Sequence, residues 1–431
     1  MSTDQPVVGS IFDLYRIGAG PSSSHSIGPE RAARRFLARQ SAPPAKIRVT
    51  LFGSLAATGR GHLTDQSIRR ALGKVPADFL WDTETGNLKH PNTLRFEALD
   101  SAGRPTDSWS VYSIGGGNLR DDGGPVGDDE PARYPGRTIT ELLALCEAQG
   151  LSFWQLAERT ERDPWPRLET IWEAMEASVR RGLESRENFL PGPLKLARKA
   201  RTTLLRGRDL ASPQRDLALL AAFALAVSEE NAAGGTIVTA PSCGAAGVLP
   251  GMLYYYHTVK GLPRRDILEA LATAGLFGSV IRANASISGA EVGCQGEVGS
   301  ACSMAAAAGA QLLGGTLRQI EYAAEIGMEH HLGLTCDPIE GYVQIPCIER
   351  NMTACLRAAE CAVFALLTDG RHLVSFDDVI EVMYRTGADL QSAYRETARG
   401  GLAELWRRRM SGQSKTGAAT AAPAEHHSYC D

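Results

Sequence analysis

Apolar positions along the chain follow two periods, and the change from one to the other divides the sequence. Between residues 46 and 52 they alternate, with Ile47, Val49 and Leu51 flanked by polar neighbours, which predicts a half-buried strand. Leu94 to Leu99 and Trp109 to Ile114 predict two more strands. Helical spacing surrounds them. Pro29 to Arg39 has proline in its first turn, and a short helix through Leu72 has Thr64 or Asp65 placed to cap it. The order over residues 10 to 120 predicts a small α/β sandwich with helices on one face of a sheet. Residues 120–138 are rich in Asp, Gly and Pro and read as a loop. Helical periods then dominate, at Ile139 to Gln149, Pro166 to Leu183 and 213–229. From Ala232 onward, alanine-rich helices alternate with glycine loops and strand signals nearly vanish.

The expected fold class is therefore α+β. An N-terminal α+β domain is expected at 8–155, a helical linker at 156–189 and a mostly helical domain at 190–405. Residues 406–431 are expected to form a flexible tail, small, polar and low in complexity at its end.

Composition narrows the function classes. A chain of 431 residues with 43% hydrophobic content has room for two or three domains. A net charge of −4 implies no basic face for nucleic acid. The longest apolar run, Leu217 to Val227, falls far short of the ~20 residues a bilayer requires and reads as a buried helix. No membrane partner is expected. The first residues, with Asp4 and Asp13, lack the basic stretch and apolar core of a signal peptide, so a cytoplasmic location is expected. Nine cysteines without an export signal argue against a disulfide framework. In a reducing compartment they are core residues, nucleophiles or metal ligands.

Three of them stand in loops beside breaker residues. They are Cys294 in Gly293-Cys294-Gln295-Gly296, Cys336 before Asp337-Pro338, and Cys347 after Pro346, spaced 42 and 11 residues apart. Small or φ-fixed neighbours let a backbone approach a bulky inorganic group, and thiolates are the soft ligands such groups take. Spacing alone leaves a second reading open, that of unrelated buried thiols. Cys146, Cys302, Cys355 and Cys361 sit on helical stretches and read as small core residues. Cys243, in Ala240-Pro241-Ser242-Cys243-Gly244, has a loop setting that suits either a site or a packing role.

Long motifs carry a resemblance. They include GPSSSH at 20–25, FGSLAATGRGHLTD at 52–65, HPNTLRF at 90–96, SIGGG at 113–117 and SEENAAGG at 228–235. NASISGAEVGCQGEVG at 284–299, EIGMEHHLGLTCDP at 325–338, QIPCIERN at 344–351 and YRETARGGLA at 394–403 follow. Over residues 10 to 402 the chain resembles the single-chain bacterial iron–sulfur L-serine dehydratases. That resemblance implies a 4Fe-4S cluster held by Cys294, Cys336 and Cys347, an amino-acid substrate and a homodimer. It implies that the last cysteine, here Cys430, can occupy the open iron. As a flexible coil, about 19 residues of tail would span roughly 25 Å. Departures fall at Ser26, Asn118, Cys243, His331 and Glu340. Those at Cys243, Asn118 and Glu340 motivate an alternative substrate, L-cysteine or L-threonine.

Under this reading a base must take the α-proton, and neutral imidazole suits the task. His62, at a strand-to-helix turn, is the first candidate and His25 the second. Ser22, Ser23 and Ser24 precede a helix whose free amides would suit a carboxylate, and Ser242 and Cys243 complete the substrate-binding candidates. His90 reads as structural, and His330 and His331 as packing or support for the Cys336 loop. His426 and His427 resemble a metal pair but are expected to hold nothing. Two rival classes remain. One is a pyridoxal-phosphate lyase using Lys195 or Lys199, in a helix-like basic stretch; the other is a cluster-based amino-acid sensor.

Overall fold

The computed structural model describes residues 8–126 and 134–412. The chain enters through a 3-10 turn at Ile11–Asp13 and a short strand, β1 (Ile17–Ala19). A π turn over Ser23–Ile27 runs directly into α1 (Gly28–Ala38). Next come β2 (Lys46–Phe52), α2 (Gly53–Thr58), α3 (Thr64–Leu72), β3 (Ala77–Asp82) and β4 (Thr93–Leu99). β5 (Pro105–Ser113), β6 (Leu119–Asp121) and β7 (Gly124–Val126) complete this part.

Six of these strands form one sheet in the order β3-β2-β4-β5-β6-β7. β2 and β3 run parallel, and the other neighbours antiparallel. The alternation in β2 does what its pattern requires. Ile47, Val49 and Leu51 are fully buried and pack with Phe36 of α1, Leu55 of α2, and Ile68 and Leu72 of α3. The α+β class stands, but the sheet is larger than its sequence pattern suggested. β3 adds an edge, and β6 and β7 form a hairpin inside what reads as loop, its turn held by Gly123 N donating to Asp121 Oδ1 at 2.9 Å. Neither Thr64 nor Asp65 caps α3: its N-cap is Leu63, in a left-handed conformation, with no side-chain cap.

The rest of the described residues are helical or loop, apart from one strand. α4 (Ile139–Gln149), α5 (Phe153–Thr160), α6 (Pro164–Glu184), α7 (Ala200–Arg208) and α8 (Gln214–Ala232) precede β8 (Thr236–Val238). Then follow α9 (Val248–Thr258), α10 (Arg264–Asn284), α11 (Gly289–Val292), α12 (Ser300–Leu312) and α13 (Leu317–Glu329). α14 (Cys347–Leu366), α15 (Phe376–Asp389) and α16 (Gly401–Met410) end the described chain. The apolar run expected as a buried helix lies in α8, buried from Leu219 to Val227. No described helix is long and apolar enough to cross a membrane.

Strand β8 pairs antiparallel with β1, Ile17 opposite Val238, which ties the start of the chain to the helical part. The apolar clusters show the same division. The sheet cluster is formed by residues between Ala32 and Leu119. The larger cluster takes in Val8 to Ile27 and Tyr134 to Ala157 as well as the helices that follow. Tyr15 fixes this entry by donating to the Leu271 carbonyl at 2.8 Å. A cut at residue 155 would assign both segments to the sheet, whereas their side chains pack in the helical core.

Candidate active site between thiols and imidazoles

Cys294, Cys336 and Cys347 come from three separate segments. Cys294 is the N-cap of a π turn over Gln295–Gly299 that leads into α12. Gly293 before it has φ +75°, and a Cβ there would lie 2.8 Å from the Leu334 carbonyl, so only glycine allows this approach. Cys336 is stapled to the segment after α15: its N–H donates to Tyr394 O, and Glu396 N–H donates to Cys336 O, both at 2.8 Å. Cys347 opens α14 behind Pro346. Cys294 and Cys336 are buried, and Cys347 keeps part of its surface open.

The three thiols share an electrostatic neighbourhood. The Cys336 thiol hydrogen-bonds the Cys294 sulfur and, with Arg350 beside it, holds Cys294 down to about 6 despite burial. Cys336 is raised as the other half of that hydrogen bond, and burial raises Cys347. Arg350 is positioned by donating to Thr335 O at 2.5 Å, with Asp337 at 3.8 Å. Glu297, one turn after Cys294, is pushed up to about 8 by burial and then by Cys294. A Cβ at Gly289 would fall 2.7 Å from Glu297 Oε2 and 3.3 Å from Cys336 Sγ, so the site's wall is bare backbone there. Three soft thiols, one cation and glycine-lined backbone suit a thiolate-bound metal group.

The imidazoles form the opposite wall. His25 and His62 are fully buried, with ring centroids 4.4 Å apart in a T-shaped arrangement. Burial lowers His25 to about 3, and burial and then His25 lower His62, so both rings are neutral. Ser24 Oγ lies 2.8 Å from His25 Nδ1, and Ser22 Oγ 3.4 Å. Ser54 Oγ and Thr58 Oγ1 lie 3.2 Å and 3.0 Å from His25 Nε2. His62 Nδ1 faces Thr58 Oγ1 at 3.2 Å, and its Nε2 has no partner. Glu396 joins the walls: its carboxylate stands 3.6 Å from His25 Nδ1 while its backbone pairs with Cys336. Ligand atoms of His25, His62 and Glu396 all lie within 4.8 Å of one another. A cleft of about 930 Å³ has Ser54, whose hydroxyl faces His25 Nε2, on its wall together with Glu291, Arg395 and Arg399.

In the serine loop the helix starts earlier than its sequence suggested. The helical turn begins at Ser23 rather than near Pro29, and the amides of His25, Ser26 and Ile27 bond Ser22 Oγ or its carbonyl. Ser22 and Ser24 instead point their hydroxyls at His25. Ser23 is buried in the same turn. Ser242 and Cys243 are buried in a loop against Glu297, which reinforces burial in raising the Cys243 thiol. Ser242 Oγ lies beside the Glu297 carboxyl without an aligned hydrogen bond. Cys146, Cys302, Cys355 and Cys361 are buried as expected of core residues. His90 bonds Glu291 at 3.1 Å. His331 bonds Gly327 O at 2.7 Å. Asn118 accepts from Arg16 at 2.7 Å, and Ser26 donates to His62 O at 2.8 Å. Lys195 is exposed in a non-helical stretch and Lys199 pairs with Glu349, so neither offers a buried amine for pyridoxal phosphate. Cys430, His426 and His427 lie outside the described residues.

Thr58, Glu297, Arg350 and Glu396 were not singled out from the sequence. A signal existed for two of them: Glu297 and Arg350 each follow a loop cysteine by three residues, one helical turn.

Fold and geometry together define a class: a two-part protein whose interface sets buried thiols against neutral imidazoles. Comparison with known proteins makes the class specific. The family model for the serine dehydratase beta chain matches residues 10–77, and that for the alpha chain matches residues 100–403. An L-serine dehydratase of Streptomyces coelicolor is 45% identical, across 91% of this chain and 98% of the relative. L-serine dehydratase 1 of Escherichia coli is 41% identical over the same shares, and a Helicobacter pylori L-serine dehydratase is 36% identical across 92% and 98%. The chain belongs to the serine dehydratase family, in the single-chain form that carries beta-type and alpha-type segments together.

Proposed function

We propose that this protein is a cytoplasmic carbon–nitrogen lyase converting L-serine to pyruvate and ammonia, with Cys294, Cys336 and Cys347 holding a 4Fe-4S cluster. The observation that carries the proposal is the convergence of three thiols from separate segments beside Arg350, facing imidazoles kept neutral by burial. Held by these three thiols, the cluster would supply Lewis acidity toward a substrate carboxylate and β-hydroxyl.

The chain's own groups supply the rest. Neutral His62, with its Nε2 unpartnered, takes the α-proton. Ser22, Ser23, Ser24, Ser242 and Cys243 line the substrate's surroundings, and His25 supports the base. Loss of the α-proton and the β-hydroxyl, together one water, leaves aminoacrylate. That enamine tautomerises to an imine, and water hydrolyses it to pyruvate and ammonia. Burial of both walls excludes bulk water while the carbanion character develops. Cys430 from the tail, as a fourth sulfur in the resting state, and a homodimer are part of the same proposal.

The test is anaerobic purification followed by an iron and sulfide count and a pyruvate assay on L-serine. About four irons per chain, with activity lost in air, is the expected result. A colourless, iron-free protein that still makes pyruvate from serine would overturn it.

A further inference from the structure

The hydroxyl protons around the imidazole pair can be assigned by counting. Ser54 Oγ donates to Glu396 O at 2.9 Å, and Thr58 Oγ1 donates to Ser54 O at 2.9 Å. A hydroxyl has one proton and two lone pairs. Backbone carbonyls only accept, so both hydroxyl protons are committed to them. The same two oxygens face His25 Nε2, so that nitrogen carries a proton and donates. His25 Nδ1 is then the acceptor, and Ser24 Oγ, 2.8 Å away, is its donor.

His62 meets only one of these oxygens. Its Nδ1 lies 3.2 Å from Thr58 Oγ1, whose proton is already committed, so Nδ1 is the donor. The proton of neutral His62 is thereby fixed on Nδ1, and the lone pair stands on Nε2, buried and without a partner. Thr58 Oγ1 gives one hydrogen bond and accepts two, which saturates it.

We infer that Thr58 is a positioning residue that locks His62 in the Nδ1–H tautomer and so makes His62, rather than His25, the base. The inference rests on the proposed lyase reaction for its functional meaning, but not for the tautomer. Thr58 needs no contact with substrate: it acts through the ring. Its β-branched shape matters less than its oxygen, since valine would fill the same space and leave the buried His62 Nδ1–H unpaired, while His25 Nε2–H keeps Ser54 Oγ at 3.2 Å.

The experiment is a long-range ¹⁵N–¹H correlation spectrum of the active enzyme labelled at histidine, with His62 assigned by its loss in His62→Gln. In the wild type the expected pattern is a protonated Nδ1 and a bare Nε2 at His62, and the reverse at His25. In Thr58→Val, His62 is expected to populate the other tautomer, with kcat lowered ~10- to 100-fold and KM within about two-fold. Thr58→Ser, which keeps the oxygen, is expected to restore both spectrum and rate. A wild-type His62 protonated at Nε2 overturns the inference without any variant, so a valine variant that fails to fold leaves it testable. A valine variant with unchanged spectrum and kcat overturns it as well. Wild-type enzyme inert toward serine would defeat the proposed reaction, yet its spectrum would still report the tautomer.

Discussion

The two walls of the site are built in opposite ways. The thiol wall is assembled from loops and helix starts, with a cation beside it and sulfurs that share protons unevenly: Cys294 is held down to about 6 while Cys336 is raised. The imidazole wall contains no cation. It is a lattice of hydroxyls, two of them also bonded to backbone carbonyls, and both rings are driven neutral by burial. The difference matches two tasks. Sulfurs that must exchange protons for a metal benefit from a nearby positive charge. A base that must return to one protonation state each cycle benefits from a fixed tautomer.

The largest expected effect breaks the thiol wall alone. Cys336→Ala removes one proposed ligand and leaves Glu396 N–H to Cys336 O pairing intact, since that bond is backbone to backbone. Iron and sulfide retention and serine turnover are both expected to fall to background, with the histidine spectrum unchanged. Retained iron would mean that another thiol substitutes for Cys336 and that the wall is drawn wrongly.

The next effect compares the two imidazoles. His62→Gln is expected to lower kcat ~10²- to 10⁴-fold, the range of a lost general base, with little change in thermal midpoint. His25→Gln removes a ring bonded at both nitrogens, so about 1–3 kcal/mol of stability is expected to go with a smaller loss of rate. Denaturant titration and steady-state kinetics on both variants decide it. A larger rate loss in His25→Gln would exchange the roles.

A smaller effect sharpens the charge difference. Arg350 lies beside all three sulfurs, and Arg350→Met keeps much of its length while removing the cation. Iron is expected to be lost to a chelator ~10- to 100-fold faster, as when groups supporting metal ligands are changed. An unchanged rate would show that the cation serves the fold and not the sulfurs.

What the sequence disclosed depends on the range of the interaction. The strand over Ile47, Val49 and Leu51 and the buried stretch of α8 were legible because their periods are local. Pairing of β1 with β8 was not, because each is three residues long and their partner lies over 200 residues away. The loop cysteines could be picked out by their breaker neighbours, yet only the resemblance separated them from core thiols. Thr58 and Glu396 were illegible for a different reason. Each is an ordinary residue whose meaning is a set of partners: Thr58 lies between two rings, and Glu396 between a ring and the Cys336 backbone.

The smallest effect extends the comparison to pH. His25 has its folded value lowered to about 3, so between there and its ordinary 6.5 the unfolded chain binds a proton that the folded chain refuses. Stability supplied by His25 therefore falls as pH drops through that window. On the helical side, Glu325 of α13 is raised to about 8 by burial and then by Glu329 and Glu321. Its sign is opposite: between 4.5 and 8 the folded chain keeps a proton that the unfolded chain has lost, so stability falls as pH rises. Glu325→Gln removes the second slope and leaves the first. Denaturant unfolding at pH 5 and pH 8 is expected to show the variant gaining about 1–3 kcal/mol on wild type at the higher pH only, a fraction of the ~1.4 kcal/mol per pH unit that full burial would give. An equal gain at both values would mean that the glutamine packs better and that Glu325 is ionised in the fold throughout.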